Sequence, residues 1–222
     1  LSEKPKDLDR QLALALEGAG VCRVLDVGAN VGQYATRLRA AGWRGGILSF
    51  EPLPDAHAAL VAAAADDPGW EVAPPVAVGA TAGRAPLERS KESDMSSLRP
   101  QSTRLRALSP SSAVVETVEV ELVPLTVLVH PRTPTERLFL KVDVQGSEDA
   151  VLDGVGRLWS QLVGVQLELS LTNLYDGEQG YLDTCRRLES LGFRLALVLP
   201  GYFGGKAKRQ LQFDGVFLRG AG

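Results

Sequence analysis

The side chains best suited to chemistry in this sequence fall where apolar runs end. Asp26 interrupts Val24-Leu25-Asp26-Val27 and is followed by Gly28-Ala29-Asn30-Val31-Gly32. Glu51 closes Ser49-Phe50-Glu51-Pro52, Lys141 and Asp143 close Phe139-Leu140-Lys141-Val142-Asp143, and Glu168 follows Val165-Gln166-Leu167. Glycines in a strand-to-helix turn let backbone N–H groups approach a ligand. A dinucleotide needs glycine in the middle of that turn, because a pyrophosphate must reach the helix end. Asn30 stands there instead and would crowd a phosphate.

A nucleoside ligand without phosphate suits the turn better. S-adenosylmethionine (SAM) carries a charged amino-acid end, and Asp26 could act on its ammonium directly or through water. Glu51 stands 25 positions after Asp26, near the ~20-residue spacing of a ribose-reading acid. Its carboxylate can accept both ribose hydroxyls. Val76-Ala77-Val78 should end a third strand beside the adenine ring, where the backbone of Ala77 and Val78 can read its edge.

The elements that must position these groups follow from periodicity. Helices are expected over residues 8–16, 33–41, 55–65, 148–159 and 181–191, several of them stopped by glycine. Strands are expected over 21–27, 46–50, 71–78, 114–122, 138–144 and 163–169. The strands 193–199 and 211–218 have no helix between them and should form an antiparallel hairpin. Alternating strands and helices argue for a mostly parallel sheet with helices on both faces. A parallel seven-stranded sheet with an antiparallel end is the class I methyltransferase (Rossmann-like) architecture. Residues 81–112 lack periodicity and are too long for an ordinary connection. They read as an irregular segment that could cover a substrate.

The chain has 222 residues and a formal net charge of −3. It reads as one domain, residues 1–222, with an N-terminal helix within 1–20. The charge offers no general attraction for nucleic acid or anionic membrane. No apolar run reaches the ~18 residues of a membrane span, and no secretory signal is visible. Cys22 and Cys185 form no metal pattern and are read as free thiols in a reducing cytoplasm.

DVGANVGQ, SFEPLPDAHAAL, FLKVDVQGSEDAVLDG and VGVQLELS, in that order, resemble the FkbM-like SAM-dependent methyltransferases. The resemblance runs from about Val21 to Arg219. It implies a class I methyltransferase fold and O-methylation of sugars, glycolipids or polyketide-type natural products. Asp26, Gly28, Asn30 and Glu51 match the SAM-binding positions, with Ala29 and Pro52 beside them. Lys141 and Asp143 match a KxDxxG motif, in which Gln145 replaces a frequent Glu. Ser96-Ser97-Leu98 resembles a serine-rich segment, and Pro75 replaces a frequent Asn.

In open α/β sheets, ligands collect at the carboxyl ends of the strands. Asp143 and Glu168 should converge there beside the transferred methyl group. A hydroxyl acceptor needs a base or a metal. Asp143 as general base is one expectation. Mg²⁺ held by Asp143 and Glu168, with Asn173 or a loop oxygen, is the other. Lys141 either pairs with a carboxylate or lowers a hydroxyl pKa. Ser96, Ser97, Asn173, Tyr175 and Tyr202 are the candidate acceptor contacts. His57 reads as a surface residue and His130 as a loop residue rather than a catalyst. A nicotinamide oxidoreductase is disfavoured, since the third fingerprint glycine and a Tyr-x-x-x-Lys pair are missing. Methylation of a polyketide hydroxyl or a carboxylate, and nucleoside binding without catalysis, remain as alternatives.

Overall fold

Two prolines decide how the strands divide between sheets. The computed structural model describes residues 5–220. α1 (Pro5–Gly18), β1 (Arg23–Val27), α2 (Gln33–Ala40), β2 (Gly46–Phe50), α3 (Pro54–Ala64) and β3 (Trp70–Val72) alternate as expected. The strand expected over 71–78 is split. Pro74 and Pro75 have no N–H for a ladder, so β3 stops at Val72 and β4 (Ala77–Val78) joins another sheet. That second sheet has the order β4-β6-β5, with β5 at Gly83–Ser90 and β6 at Val114–Val123.

Residues 81–112 are therefore more regular than their sequence suggests. They hold β5, paired antiparallel with β6, and the short helix α4 (Thr103–Leu108), whose first turn is capped by the Ser102 hydroxyl. The strand signal is missing because β5 buries only Leu87 and Ser90. Without a buried face, nothing demands alternating apolar residues.

The rest of the chain supplies α5 (Leu125–Leu128), β7 (Leu138–Val142), α6 (Glu148–Asp153), β8 (Leu162–Ser170), α7 (Tyr181–Ser190) and β9 (Phe193–Pro200). The short pair β10 (Phe203–Gly204) and β11 (Arg209–Gln210) leads into β12 (Gln212–Arg219). The helix expected over 148–159 breaks after Asp153. Gly154 and Gly156 interrupt it, the latter at φ +52°, and a 3₁₀ turn follows.

The main sheet runs β3-β2-β1-β7-β8-β12-β9. The first five strands are parallel, and β12 lies antiparallel between β8 and β9. This is the seven-stranded arrangement expected from the sequence. α1, α2 and α3 pack on one face through Leu12, Leu16, Ala35, Leu38 and Leu60, against Val24, Ile47 and Phe139. Val151, Leu152 and Leu188 of α6 and α7 pack on the other, against Leu25, Leu140 and Leu167. Cys22 and Cys185 are free thiols. Among the described residues, no helix is long and apolar enough to cross a membrane.

Register places the polar residues in rows. Asp26 pairs with Ser49 and Lys141, and Lys141 pairs with Gln166. Glu168 stands opposite Asp214. Each position is two residues from its neighbour on the same strand, so the rows share one face. That face is apolar lower down and turns polar at the carboxyl ends.

Gly28 lets the two central strands close at this level. It has φ +75°, and a Cβ there would lie 1.8 Å from the Asp143 carbonyl oxygen. Its N–H and that of Ala29 both donate to Phe50 O, at 3.1 and 3.0 Å. The glycine thus serves strand approach before it serves any ligand. Gly28→Ala should lower stability by about 1–3 kcal/mol through overpacking alone. Urea unfolding of the ligand-free protein checks this, and an unchanged midpoint would restrict the glycine to a ligand role.

Candidate active site

A buried ammonium sits at the centre of the polar face. Lys141 Nζ lies 3.1 Å from Asp26 Oδ1 and 3.6 Å from Asp143 Oδ2, and it donates to Gly28 O at 3.0 Å. It also stands 5.3 Å above the Tyr34 ring, a favourable cation–π position. Burial alone would depress the lysine pKa, but the Asp26 and Asp143 carboxylates raise it above the ordinary value. Lys141 is therefore a fixed cation. Of its two expected roles, the structure displays the pairing with carboxylates.

Asp26 lies deeper than the sequence suggests. Its side chain has no exposure and faces no cavity. Oδ2 accepts from Ser49 Oγ at 3.2 Å, and that hydroxyl accepts from Trp70 Nε1 at 2.9 Å. Oδ1 takes its compensation from the ion pair rather than from an aligned hydrogen bond. In this arrangement the carboxylate is not open to the cavities beside it. Lys141 and Ser49 cover it.

Glu51 is placed differently. Its Oε2 accepts from Asn30 N–H at 3.0 Å and its Oε1 from Leu53 N–H at 2.8 Å. Burial raises its pKa, while those two N–H groups oppose the rise. Each oxygen keeps a lone pair, and the residue lines a cavity with Gly28, Asn30, Pro52, Ala77 and Val78. Ser96, Ser97, Asp143 and Gln145 line the same cavity. Residues 93–98 form its outer wall and are fastened at both ends. Ser93 and Asn30 exchange hydrogen bonds at 3.1 and 3.2 Å, and Ser97 Oγ donates to Gln145 O at 2.6 Å.

Two further hollows meet this cavity. A polar chamber is lined by Ala29, Tyr34, Arg37, Lys141, Gln166 and Asp214. An outer cavity is lined by Glu92, Gln145, Glu168, Tyr202 and Gln212, with Ser109 and Ser111 at its side. Asp94 and Asp143 line all three spaces.

Asp143 and Glu168 converge as expected, but through an intermediary. Gln145 Nε2 donates to Asp143 Oδ1 at 2.8 Å and to Glu168 Oε2 at 2.9 Å. Gln212 Nε2 adds a bond to Glu168 Oε2 at 2.7 Å. Burial, then the nearby Asp143 and Asp214 carboxylates, push the Glu168 pKa well above the glutamate range. Asp214 is raised to about 6 by burial and by Asp143, partly offset by Lys141 and a Gln166 hydrogen bond. The Gln166 carbonyl in turn accepts from Tyr34 Oη at 2.9 Å.

Two candidate acceptor contacts lie elsewhere. Asn173 is exposed, and its amide donates to Glu178 O at 2.8 Å within its own loop. Tyr175 is buried behind the outer cavity, and its hydroxyl donates to Gln145 Oε1 at 2.7 Å. Ser96, Ser97 and Tyr202 do line cavities. His57 is tied to Ala73 O at 2.7 Å, and His130 is exposed. Asp94, Gln166, Asp214 and Gln212 escaped the sequence reading.

The sequence matches the model of the methyltransferase FkbM domain over residues 26–195. The chain belongs to the FkbM methyltransferase family. A search of curated proteins gives no match. Among solved structures it is similar to magnesium protoporphyrin IX methyltransferase (ChlM) from Synechocystis PCC 6803 with bound SAM. That likeness has a TM-score of 0.52 at 11% identity and covers 97% of this chain and 79% of the other. An rRNA methylase from Streptococcus thermophilus gives 0.51 at 10%, covering 99% and 98%. At such identities these structures show the fold alone. The family makes this protein a SAM-dependent methyltransferase.

The donor set does not suit Mg²⁺. Such a cation wants oxygen ligands, yet the gap between Asp143 and Glu168 holds the Gln145 N–H₂ group, with its positive end facing both carboxylates. Asn173 faces away. Among the described residues, no three His, Cys, Asp or Glu side chains are grouped to hold a metal.

Glu148 fixes the loop that carries Gln145. Its Oε1 accepts from Val144 and Gly146 N–H at 3.1 and 3.2 Å. Burial raises its pKa from 4.5 to about 8. Since the folded methyltransferase holds this proton more tightly than the unfolded chain, the associated stability is full below pH 4.5 and is lost as pH rises through about 8. Glu148→Gln keeps the carbonyl acceptor and removes the titration. Its melting temperature should gain on wild type with rising pH across that window and then stay level. A constant difference between the two proteins would show that Glu148 does not titrate there.

Proposed function

We propose that this methyltransferase transfers the methyl group of SAM to a hydroxyl of a sugar, a glycolipid or a glycosylated natural product. The observation carrying this reading is the position of Asp143. It lines the cavity beside Glu51, the polar chamber and the outer cavity alike. SAM, when bound, supplies a methyl group already activated on a sulfonium. The chain's own residues do the rest. Glu51 accepts the ribose hydroxyls, and Pro52, Ala77 and Val78 flank the nucleoside. The outer cavity receives the acceptor.

Its lining favours a polyol. Gln212, Ser109, Ser111 and Tyr202 offer hydrogen bonds in both directions, and Tyr202 adds an aromatic edge. Glu92, Asp94, Asp143 and Glu168 add carboxylates, with no Lys, Arg or His among the lining residues. A polyphosphate backbone or a carboxylate acceptor would be repelled there. Asp143 takes the hydroxyl proton as the acceptor oxygen attacks. Lys141 holds the Asp143 carboxylate in place. Glu168, tending to its neutral form, spares the pair a second charge. Much of the rate gain then comes from positioning.

Cell extract incubated with enzyme and isotopically labelled SAM, followed by mass spectrometry, identifies the acceptor. A labelled nucleic acid or organic acid would replace the carbohydrate reading. Two variants test the residues. Glu51→Ala should weaken binding of S-adenosylhomocysteine about tenfold, since buried donors lose their acceptor. Calorimetry measures it, and undiminished affinity removes Glu51 from the ribose site. Asp143→Asn should lower turnover of the identified acceptor ~10²–10⁴-fold, with cofactor affinity little changed. Near-normal turnover would leave positioning as the sole source of catalysis.

A further inference from the structure

Gln145 sits at the most constrained point of the molecule. Its backbone is left-handed at φ +56°, followed by Gly146 at φ +95°. A Cβ on Gly146 would lie 2.7 Å from the Tyr175 Cβ. A left-handed non-glycine residue is strained and persists where its surroundings over-determine it. Here they do. Ser97 Oγ binds its carbonyl, Glu148 holds the N–H groups on either side, and Tyr175 Oη binds its side chain.

All that support aims one amide. The Asp143 carboxylate accepts, and Glu168 Oε2, which also takes the Gln212 amide, is an acceptor even with the acid neutral, so the N–H₂ end faces both. The carbonyl end then meets the Tyr175 hydroxyl, which can donate. With bonds of 2.8 and 2.9 Å, Nε2 stands between the two acids and nearly equidistant from them. A bridging divalent cation would occupy the same place. Gln212 and Gln145 together saturate Glu168 Oε2, and Lys141 flanks Asp143 Oδ2. Among the described residues, Glu168 Oε1 receives no donor from the chain.

We propose that Gln145 is the positioning residue of a metal-independent centre. Its amide takes the bridging cation's place between Asp143 and Glu168, and a carboxylate at position 145 would turn the centre into a divalent-cation site. The proposal deepens the reading of these two acids given above and rests on it for their catalytic use. The metal-binding claim itself does not depend on SAM.

The test uses Mn²⁺ as the probe, followed by electron paramagnetic resonance on the whole chain. Wild type should show no saturable Mn²⁺ binding at millimolar metal. Gln145→Glu should bind it at least about tenfold more tightly, because ligand charge sets affinity. Adding Asp143→Asn to Gln145→Glu should abolish that binding. Gln145→Asp serves as a second carboxylate variant, and thermal melting confirms that each is folded. Saturable binding by wild type that Asp143→Asn removes would overturn the proposal. So would folded Glu and Asp variants that gain no affinity. Binding of S-adenosylhomocysteine to the same samples is read separately. Its absence from wild type would sink the cofactor reading while leaving the Mn²⁺ result interpretable.

Discussion

One ammonium group holds the centre of this molecule together. Lys141 Nζ draws Asp26 from β1, Asp143 from the end of β7 and the carbonyl of Gly28 into a single contact set. Without it, the buried Asp26 carboxylate would have no counter-charge. Removing one partner of such a buried pair generally costs about 3–5 kcal/mol, because the remaining charge is stranded. The glycine turn, the buried Asp26 and the placement of Asp143 all follow from this contact. It joins β1 to the end of β7, so these two strands cannot drift apart independently.

Around that cation the acids outnumber the bases, and amides make up the difference. Gln145, Gln166 and Gln212 each donate to a carboxylate of the polar face. Neutral donors stabilise anions without adding charge. The raised pKa values of Glu168 and Asp214 are the cost of this choice.

Much of this was readable in the sequence because it is local. Polar residues at alternate positions in Leu25-Asp26-Val27, Leu140-Lys141-Val142-Asp143 and Gln166-Leu167-Glu168 mark one face of three strands. Parallel register then aligns them. Asp214 carries the same signal in Phe213-Asp214-Gly215-Val216, but its place depends on β12 entering between β8 and β9. Periodicity does not encode that choice. Nor does it encode depth: Asp26 reads as a ligand contact until Lys141 and Ser49 are seen to cover it. Asn173 and Tyr175 misled for a related reason. Both sit in the polar loop after β8, where sequence gives proximity but not direction. β5 was invisible because a strand that buries two side chains leaves almost no pattern.

The strand order also sets a sequence of events during synthesis. β12 is the last strand of the main sheet to leave the ribosome, yet it lies inside the sheet. Domains emerge and fold from the N-terminal side. Until residues 212–219 appear, β9 has no partner, Glu168 lacks Gln212 and the chamber lacks Asp214. The nascent chain can therefore assemble β1, β2 and β7 around Lys141 well before the chamber that Asp214 completes. A ribosome-bound intermediate of this kind would already hold the Lys141–Asp26 pair while Glu168 still lacks its Gln212 donor.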